Sequence, residues 1–565
     1  MPSYPVSSLG AIPDVQFPGG DQGSIMVAVP ISALSWPVRD GSDGDGRSAM
    51  VVQGTGKIET GDLVAFCKVV VVAPARVRRD GRVQADGRPC DHARLGAAEV
   101  ELDAACGPNT IERVAAGVRL TGKIKGVRQR EMSTAFTLRA TLLMTMMPEA
   151  DARQVMATLL GDLLAVPWRR EHAVPSGTVL SRWRTAVGPA PLQQLKKQWL
   201  AAVAADHDDG PAGIDVGGGL HVGAIDGTVT RMPDTKANRR RYGSAGTAGS
   251  GYPQIRSLHA SDAFTRAGWA VVTGPAGGDK AEAEQKLLDR MLIEYAWAFT
   301  KNQLWIMDRN FPGVPRIARM IAKTHVLIRV KSDIRLERIG GFLKDGSWLA
   351  RMSGGGVSLT VRVIEYHVTL DGQTTPELFC LVTDLIDYET HPAHLLAAAY
   401  RWRWDGCETA LREDKSTITG AGPGTGAMLR SHAPDLVEQE HAAWTTATGL
   451  VRATLQSVAA VAAPFTKGPR TGQPVQVRHL SFTTAAWTVA ATVRAGTATA
   501  SLPTQTKTAA HQRALHQVAT TRVTTDRNRH RPRKIKSSQP FGHAPTDITT
   551  RTVPAQIHVC GTSAA

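Results

Sequence analysis

HVGAIDGT, residues 221–228, and QLWIMD, residues 303–308, decide how this chain is read. Each is a short apolar run that closes on an acid, Asp226 in the first and Asp308 in the second. Runs of this length, rich in Val, Ile, Leu and Trp and bounded by turn residues, read as buried strands. Between them, PQIRSLHASDAF and GWAVVTG continue the strand pattern. DKAEAEQKLLDRMLIEYAWAF (279–299) then sets Leu287, Leu288, Met291, Leu292 and Tyr295 at helical spacing. Strands alternating with helices predict an α/β fold, a mixed sheet flanked by helices.

Past this core the pattern changes twice. Residues 331–380, with SLTVRVIEYHVTL (358–370), read as a β-rich insertion, and ELFCLVTDL (377–385) carries the strand pattern across its end. YRWRWDGCETALREDK (400–415) then reads as a helix. The segments expected are an N-terminal extension, partly irregular, over 1–95 and a helical domain over 96–210. A catalytic core over 211–330 is interrupted by the insertion over 331–380 and resumes over 381–455; a C-terminal region follows over 456–565. In the helical part, PSGTVLSRWRTAVG offers Ser176 as an N-cap and puts Arg182 and Arg184 on a short helix. That helix suits a DNA-binding module, or an ordinary bundle with a solvated basic face. DGSDGDG (40–46) has Val51 where a calcium loop needs its twelfth-position Glu, and reads as a solvated turn.

Two strand-end acids invite a chemical reading. Phosphodiester cleavage by two divalent ions roughly 4 Å apart needs several carboxylates, and oxygen-only ligands suit Mg2+ or Mn2+. Asp226 and Asp308 supply two, and a third from a flanking helix completes the set. The helix at 400–415 offers Asp405, Glu408 and Glu413. Glu413 lies five residues beyond Glu408, about 140° around a regular α-helix, so only one of those two faces the site.

These surroundings resemble the DDE transposases, and in particular the insertion-sequence group called family four. The likeness rests on DGT after a strand, Asp308 and Arg309 followed by an aromatic, the segments DGTVTRMPDTKANRRRYG and YPQIR, and Tyr400, Arg403, Glu408 and Lys415. The resemblance implies a ribonuclease H-like core with the β-insertion between the second Asp and the Glu, preceded by an α-helical DNA-binding domain. It implies Asp226, Asp308 and Glu408 as catalytic, metal-holding residues for two Mg2+ or Mn2+ ions. Tyr400, Arg403, Lys415, Arg309, Arg239, Arg240, Arg241, Arg182 and Arg184 are the expected DNA contacts, with Trp402 or Trp404 as further stacking faces. The implied partners are double-stranded DNA, as element ends and target, and a second copy of the chain to hold the paired ends. The family interval from Glu to Lys is kept. The interval from Arg to Glu carries four residues, Trp404 to Cys407, where the family has three. In a regular helix this turns Arg403 about 100° from its place relative to Glu408. A bulge or an earlier helix start would absorb the difference.

Bulk properties agree with this reading without selecting it. Lys and Arg total 66 against 50 Asp and Glu in 565 residues, so a polyanionic partner or a basic, solubilising surface follows. Arg527, Arg529, Arg531, Arg533, Lys534 and Lys536 form a basic strip suited to phosphates or to a solvated tail. The six cysteines show no metal-ligand spacing and read as reduced thiols. With no long apolar run and no signal-peptide pattern, a cytoplasmic protein is expected, nucleoid-associated in a prokaryote, with no membrane contact. Two rival readings stay open: another ribonuclease H-like, metal-dependent nuclease that does not join ends, and a DNA-binding transposase relic whose altered Arg-to-Glu interval has broken the site.

Overall fold

The structure is a computed structural model that describes residues 39–42, 48–60, 63–77, 83–85, 94–121, 132–160, 174–208, 213–244, 251–277, 281–331, 333–370, 376–418, 428–467, 470–498, 512, 515–523 and 555–561. Near the N-terminus, strands β1 (Arg39–Ser42), β2 (Ser48–Thr60), β3 (Leu63–Val77) and β4 (Val83–Ala85) pair antiparallel in chain order. The β-branched run at 69–72 lies within β3 and pairs with β2.

Helices α1 (Ala97–Cys106), α2 (Thr110–Ala116), α3 (Thr134–Met146), α4 (Ala152–Leu160), α5 (Gly177–Val187) and α6 (Ala190–Asp208) follow. Ser176 caps α5 as its sequence predicts, accepting a hydrogen bond from the Val179 amide at 3.4 Å. Next come β5 (His221–Arg231), α7 (Lys236–Tyr242), β6 (Gln254–Asp262), β7 (Gly268–Pro275), α8 (Glu284–Glu294), β8 (Gln303–Met307), α9 (Val314–Ile321) and β9 (His325–Arg329). β7, β6 and β5 form an antiparallel meander, and β8 and β9 add parallel to β5. The resulting order, β7-β6-β5-β8-β9, is the ribonuclease H-like sheet. It is extended beyond β9 by β13 (Glu377–Thr383), β12 (Val357–Leu370), β11 (Trp348–Gly354) and β10 (Glu337–Phe342), which are the β-insertion. β14 (Ala555–Val559) pairs with the far end of β12.

Period-two alternation splits the strands between two apolar layers. Ile225, Leu258 and Ala260 join Leu287, Leu288 and Met291 of α8, in a core that also takes in the helices of 97–208. Val222, Ala224, Leu304 and Ile306 join Leu396, Tyr400 and Trp402 in the second. The chain then returns as α10 (Ala393–Tyr400), α11 (Thr409–Glu413), α12 (Pro434–Val461) and α13 (Phe482–Ala498). α12 packs on α3 and α6, so N-terminal and C-terminal helices share one body.

Candidate active site

Asp226 lies in mid β5, on the face of Val222 and Ala224. Asp308 is the first residue after β8, whose Ile306 is in register with Ala224. Two positions further along each strand bring the two aspartates side by side on the second face. Above them the chain from 393 to 418 runs as nearly continuous helix, but its pitch changes. Trp404–Glu408 is a π turn, closed by the Thr409 amide donating to the Trp404 carbonyl five residues back, and Asp414–Ile418 is a second one. A π turn takes in one extra residue without displacing the helix that follows. The four-residue interval between Arg403 and Glu408 is absorbed there, by the bulge that the spacing allowed for. Gly406 lets this segment lie down on the sheet, since a Cβ there would fall 2.4 Å from Ala263 Cα.

Arg403, 6% exposed, joins the acids. Its Nη1 donates to Asp226 Oδ2 at 3.0 Å and its Nη2 stands 3.9 Å from Glu408 Oε2, with the Trp404 ring 4.0 Å away. Asp226 is pushed up to about 6, first by burial and then by like charge from Asp308 and Glu408, against the pull of Arg403. Asp308 accepts from the Asn310 amide at 2.8 Å and from the Asn310 side chain at 3.3 Å. Glu408 keeps one oxygen buried without a hydrogen-bond partner.

Sequence reading missed a fourth carboxylate. Glu284, at the first turn of α8, lies against Gly227, where a Cβ would stand 2.2 Å from its Oε1. Burial raises its pKa, and Asp308 raises it further. An acid at a helix start reads as a complement to the helix dipole, so nothing in the pattern singled it out. The rival acids on the Glu helix look elsewhere. Glu413 pairs with Arg266 (2.9 Å) and Arg452 (3.4 Å), and Asp405 with Arg266 (3.8 Å).

Among the described residues no three His, Cys, Asp or Glu side chains converge closely enough to hold a metal ion as they stand. Arg403 fills the space between Asp226 and Glu408 instead. The donor set still suits a hard cation: the ligands are oxygen only, one buried Glu408 oxygen has no hydrogen-bond partner, and like charge from Asp308 and Glu408 helps raise the pKa of Asp226.

The expected DNA contacts are placed unequally. Arg309 and Arg240 are exposed. Arg239 pairs with Asp234 and donates to Ser244 Oγ at 3.0 Å, while Arg241 reaches Glu438 at 3.4 Å. Lys415 is half-buried, near enough to His259 to help push that imidazole's pKa down. Arg182 is exposed, but Arg184 is 5% exposed and cannot meet DNA. It donates to Gln439 (3.2 Å), Ser431 (3.2 Å) and the Leu436 carbonyl (2.9 Å), at and just before the start of α12. Tyr400 is 3% exposed and its hydroxyl donates to the Met307 carbonyl at 3.3 Å, so it presents no stacking face. Trp402 packs on Phe264 with centroids 5.8 Å apart; Trp404 is half-buried. The basic strip 527–536, and most of DGSDGDG, lie outside the described residues. Cys106, Cys380, Cys407 and Cys560 are free thiols, and among the described residues no helix is long and apolar enough to cross a membrane.

No curated protein matches the chain. A cryo-EM structure of the piggyBac transposase synaptic complex with hairpin DNA aligns at 11% identity over 76% of this chain and 85% of that one. Its TM-score of 0.38 is too slight to argue from. The family model described as transposase DDE domain matches residues 217–419, a span that holds Asp226, Asp308, the β-insertion and Glu408. Residues 217–419 of this chain are thus similar to the transposase DDE domain family.

Proposed function

We propose that the chain is an insertion-sequence transposase that cuts DNA at element ends and transfers the 3′-hydroxyl strands into target DNA. The observation that carries this reading is the meeting of Asp226 and Glu408 on the Arg403 guanidinium, with Asp308 at the adjacent strand end. Asp226, Asp308 and Glu408 would hold two Mg2+ or Mn2+ ions. Bound there, such ions activate the attacking oxygen and stabilise the leaving one.

The chain's own residues supply the rest. Asn310 fixes the Asp308 carboxylate through both of its oxygens. Arg403 steadies Asp226 and Glu408, and its planar fork suits a phosphate oxygen. Exposed Arg309, Arg240 and Arg182, with Lys415 at the Glu helix, give salt-sensitive contact to the DNA backbone. Two element ends must be held together, which calls for a homodimer. The π turn also favours activity over a relic, because the extra residue that unsettled the Arg-to-Glu interval is taken up within Trp404–Glu408.

The test uses supercoiled plasmid with Mg2+ and a pre-cleaved duplex bearing a free 3′-hydroxyl. Asp226→Ala is expected to bind plasmid as wild type does while nicking stops, and wild type is expected to join the pre-cleaved end. Nicking that persists in pure Asp226→Ala sinks the site. Nicking without any joined product makes the protein a plain nuclease.

A further inference from the structure

The acids that compete with Glu408 in the sequence are tied from below by two arginines drawn from distant parts of the chain. Arg452, on α12 and 3% exposed, donates to Asp414 Oδ1 at 2.5 Å, to the Ala410 carbonyl at 3.1 Å and to Glu413 Oε2 at 3.4 Å. Arg266, in the turn between β6 and β7, donates to Glu413 Oε1 at 2.9 Å and stands 3.8 Å from Asp405. All these groups belong to the segment 405–414, between and at the edges of the two π turns.

Arg266 also sits at φ +64°, in the left-handed region that favours glycine. A residue with a Cβ held there is strained, and the surroundings must offset that strain. Its neighbours over-determine the turn: Asp262 Oδ1 accepts from the Phe264 amide (3.0 Å), the Thr265 amide (2.6 Å) and the Thr265 hydroxyl (2.7 Å). Arg266, Asp414 and Arg452 line a cavity of about 30 Å³ beneath the helix, room for about one water, so bulk solvent screens their ion pairs little.

We infer that Arg266 and Arg452 are positioning residues that fix the rotation of the Glu helix across its two π turns, through Glu413 and Asp414, and thereby aim Glu408 at Asp226 and Asp308. A π turn lacks the tight register of an α-helix, so a helix that begins and ends in one needs an external tie to hold a side chain in place. The inference rests on the proposed site and makes Glu413 its partner rather than its rival.

Arg266→Gly separates positioning from folding, because glycine is what that backbone favours. The variant is expected to melt within a few degrees of wild type and to bind plasmid unchanged. It should nick about 100-fold more slowly, through kcat with KM unaltered, as expected of a slightly misplaced catalytic group. Glu413→Gln should show the same loss, and the double variant no more than either alone. Arg266→Lys should recover part of the rate. Calorimetry with Mn2+ gives a readout apart from activity: Arg266→Gly should weaken uptake about tenfold, as removal of supporting groups does elsewhere. Wild-type nicking and Mn2+ uptake in Arg266→Gly, or losses that simply add in the double variant, overturn the inference. Asp226→Ala run beside them tells the cases apart, since unabated nicking there condemns the site itself.

Discussion

The π turn at Trp404–Glu408 makes a prediction about chain length that no ordinary substitution can test. Deleting Asp405 shortens the interval from Arg403 to Glu408 by one residue, so that the two stand four apart, one turn of a regular α-helix. Both ends then keep their places. Arg403 still reaches Asp226, and Glu408 with everything beyond it returns to the same face. Asp405 is the residue to remove, because its 3.8 Å contact with Arg266 is long, whereas Gly406 is needed against Ala263. Inserting an alanine after Asp405 does the opposite, since the turn has already absorbed one residue. The helix beyond must then rotate by about 100° and rise by about 1.5 Å. With side-chain tips about 5.5 Å from the helix axis, that rotation carries the carboxylate about 8 Å. An error of about 1 Å can already cost about 100-fold in rate. The assay is nicking of supercoiled plasmid in Mg2+, with melting curves as a check on folding. The deletion is expected to stay within about tenfold of wild type and the insertion to match Glu408→Ala, at least about 1000-fold down. A folded deletion variant as inactive as the insertion variant refutes the reasoning.

Other outcomes follow from groups placed differently from their sequence reading. Arg184→Met strands buried acceptors on Gln439, Ser431 and Leu436 and should cost about 3 kcal/mol in urea melts without weakening DNA binding. Arg182→Ala should do the reverse, leaving stability within about 0.5 kcal/mol while lowering the salt slope of DNA binding by about one. His441, 2% exposed, is held neutral, its pKa pushed well below the usual range by burial, then by His259 and Lys196. The unfolded chain takes up its proton as pH falls below about 6.5 and the folded chain does not, so this contribution to stability is lost on acidification. His441→Asn should therefore gain about 1 kcal/mol on wild type between pH 6.5 and 5.5; parallel pH profiles contradict the assignment. Glu284→Gln should weaken Mn2+ uptake about tenfold by calorimetry, and an unchanged isotherm removes Glu284 from the site.

What could be read from the sequence was local. Asp308 closed the apolar run that became β8, and Ser176 stood where α5 starts, because such signals lie within a few residues of what they determine; Asp226, read as a strand end, proved to be mid-strand because β5 continues to Arg231 along its pairing with β6. Burial depends on the whole chain and was out of reach. Arg184 looks like a surface cation until α12, some 250 positions later, covers it, and Tyr400 looks like a stacking face until Met307 is seen above its hydroxyl. Counting helical positions separated Glu408 from Glu413 in angle, but did not say which faced the aspartates. Arg266 and Arg452 gave no signal at all, since an ion pair between turns 147 residues apart leaves no pattern.

The shared helical body carries a consequence for how the chain is made. α3 is buried on nearly every side, yet much of its cover comes from α12, and the start of α1 is closed by Thr492 across 395 residues. Glu101 likewise meets Ser457 across 356. The first helices therefore leave the ribosome with part of their apolar faces bare and stay so until α12 and α13, beyond residue 433, have been synthesised behind them. Contacts of such separation are slow to close. A nascent chain of this design should linger in a sticky, half-built state and lean heavily on chaperones, so that the yield of folded protein is set by the rate of synthesis as much as by final stability.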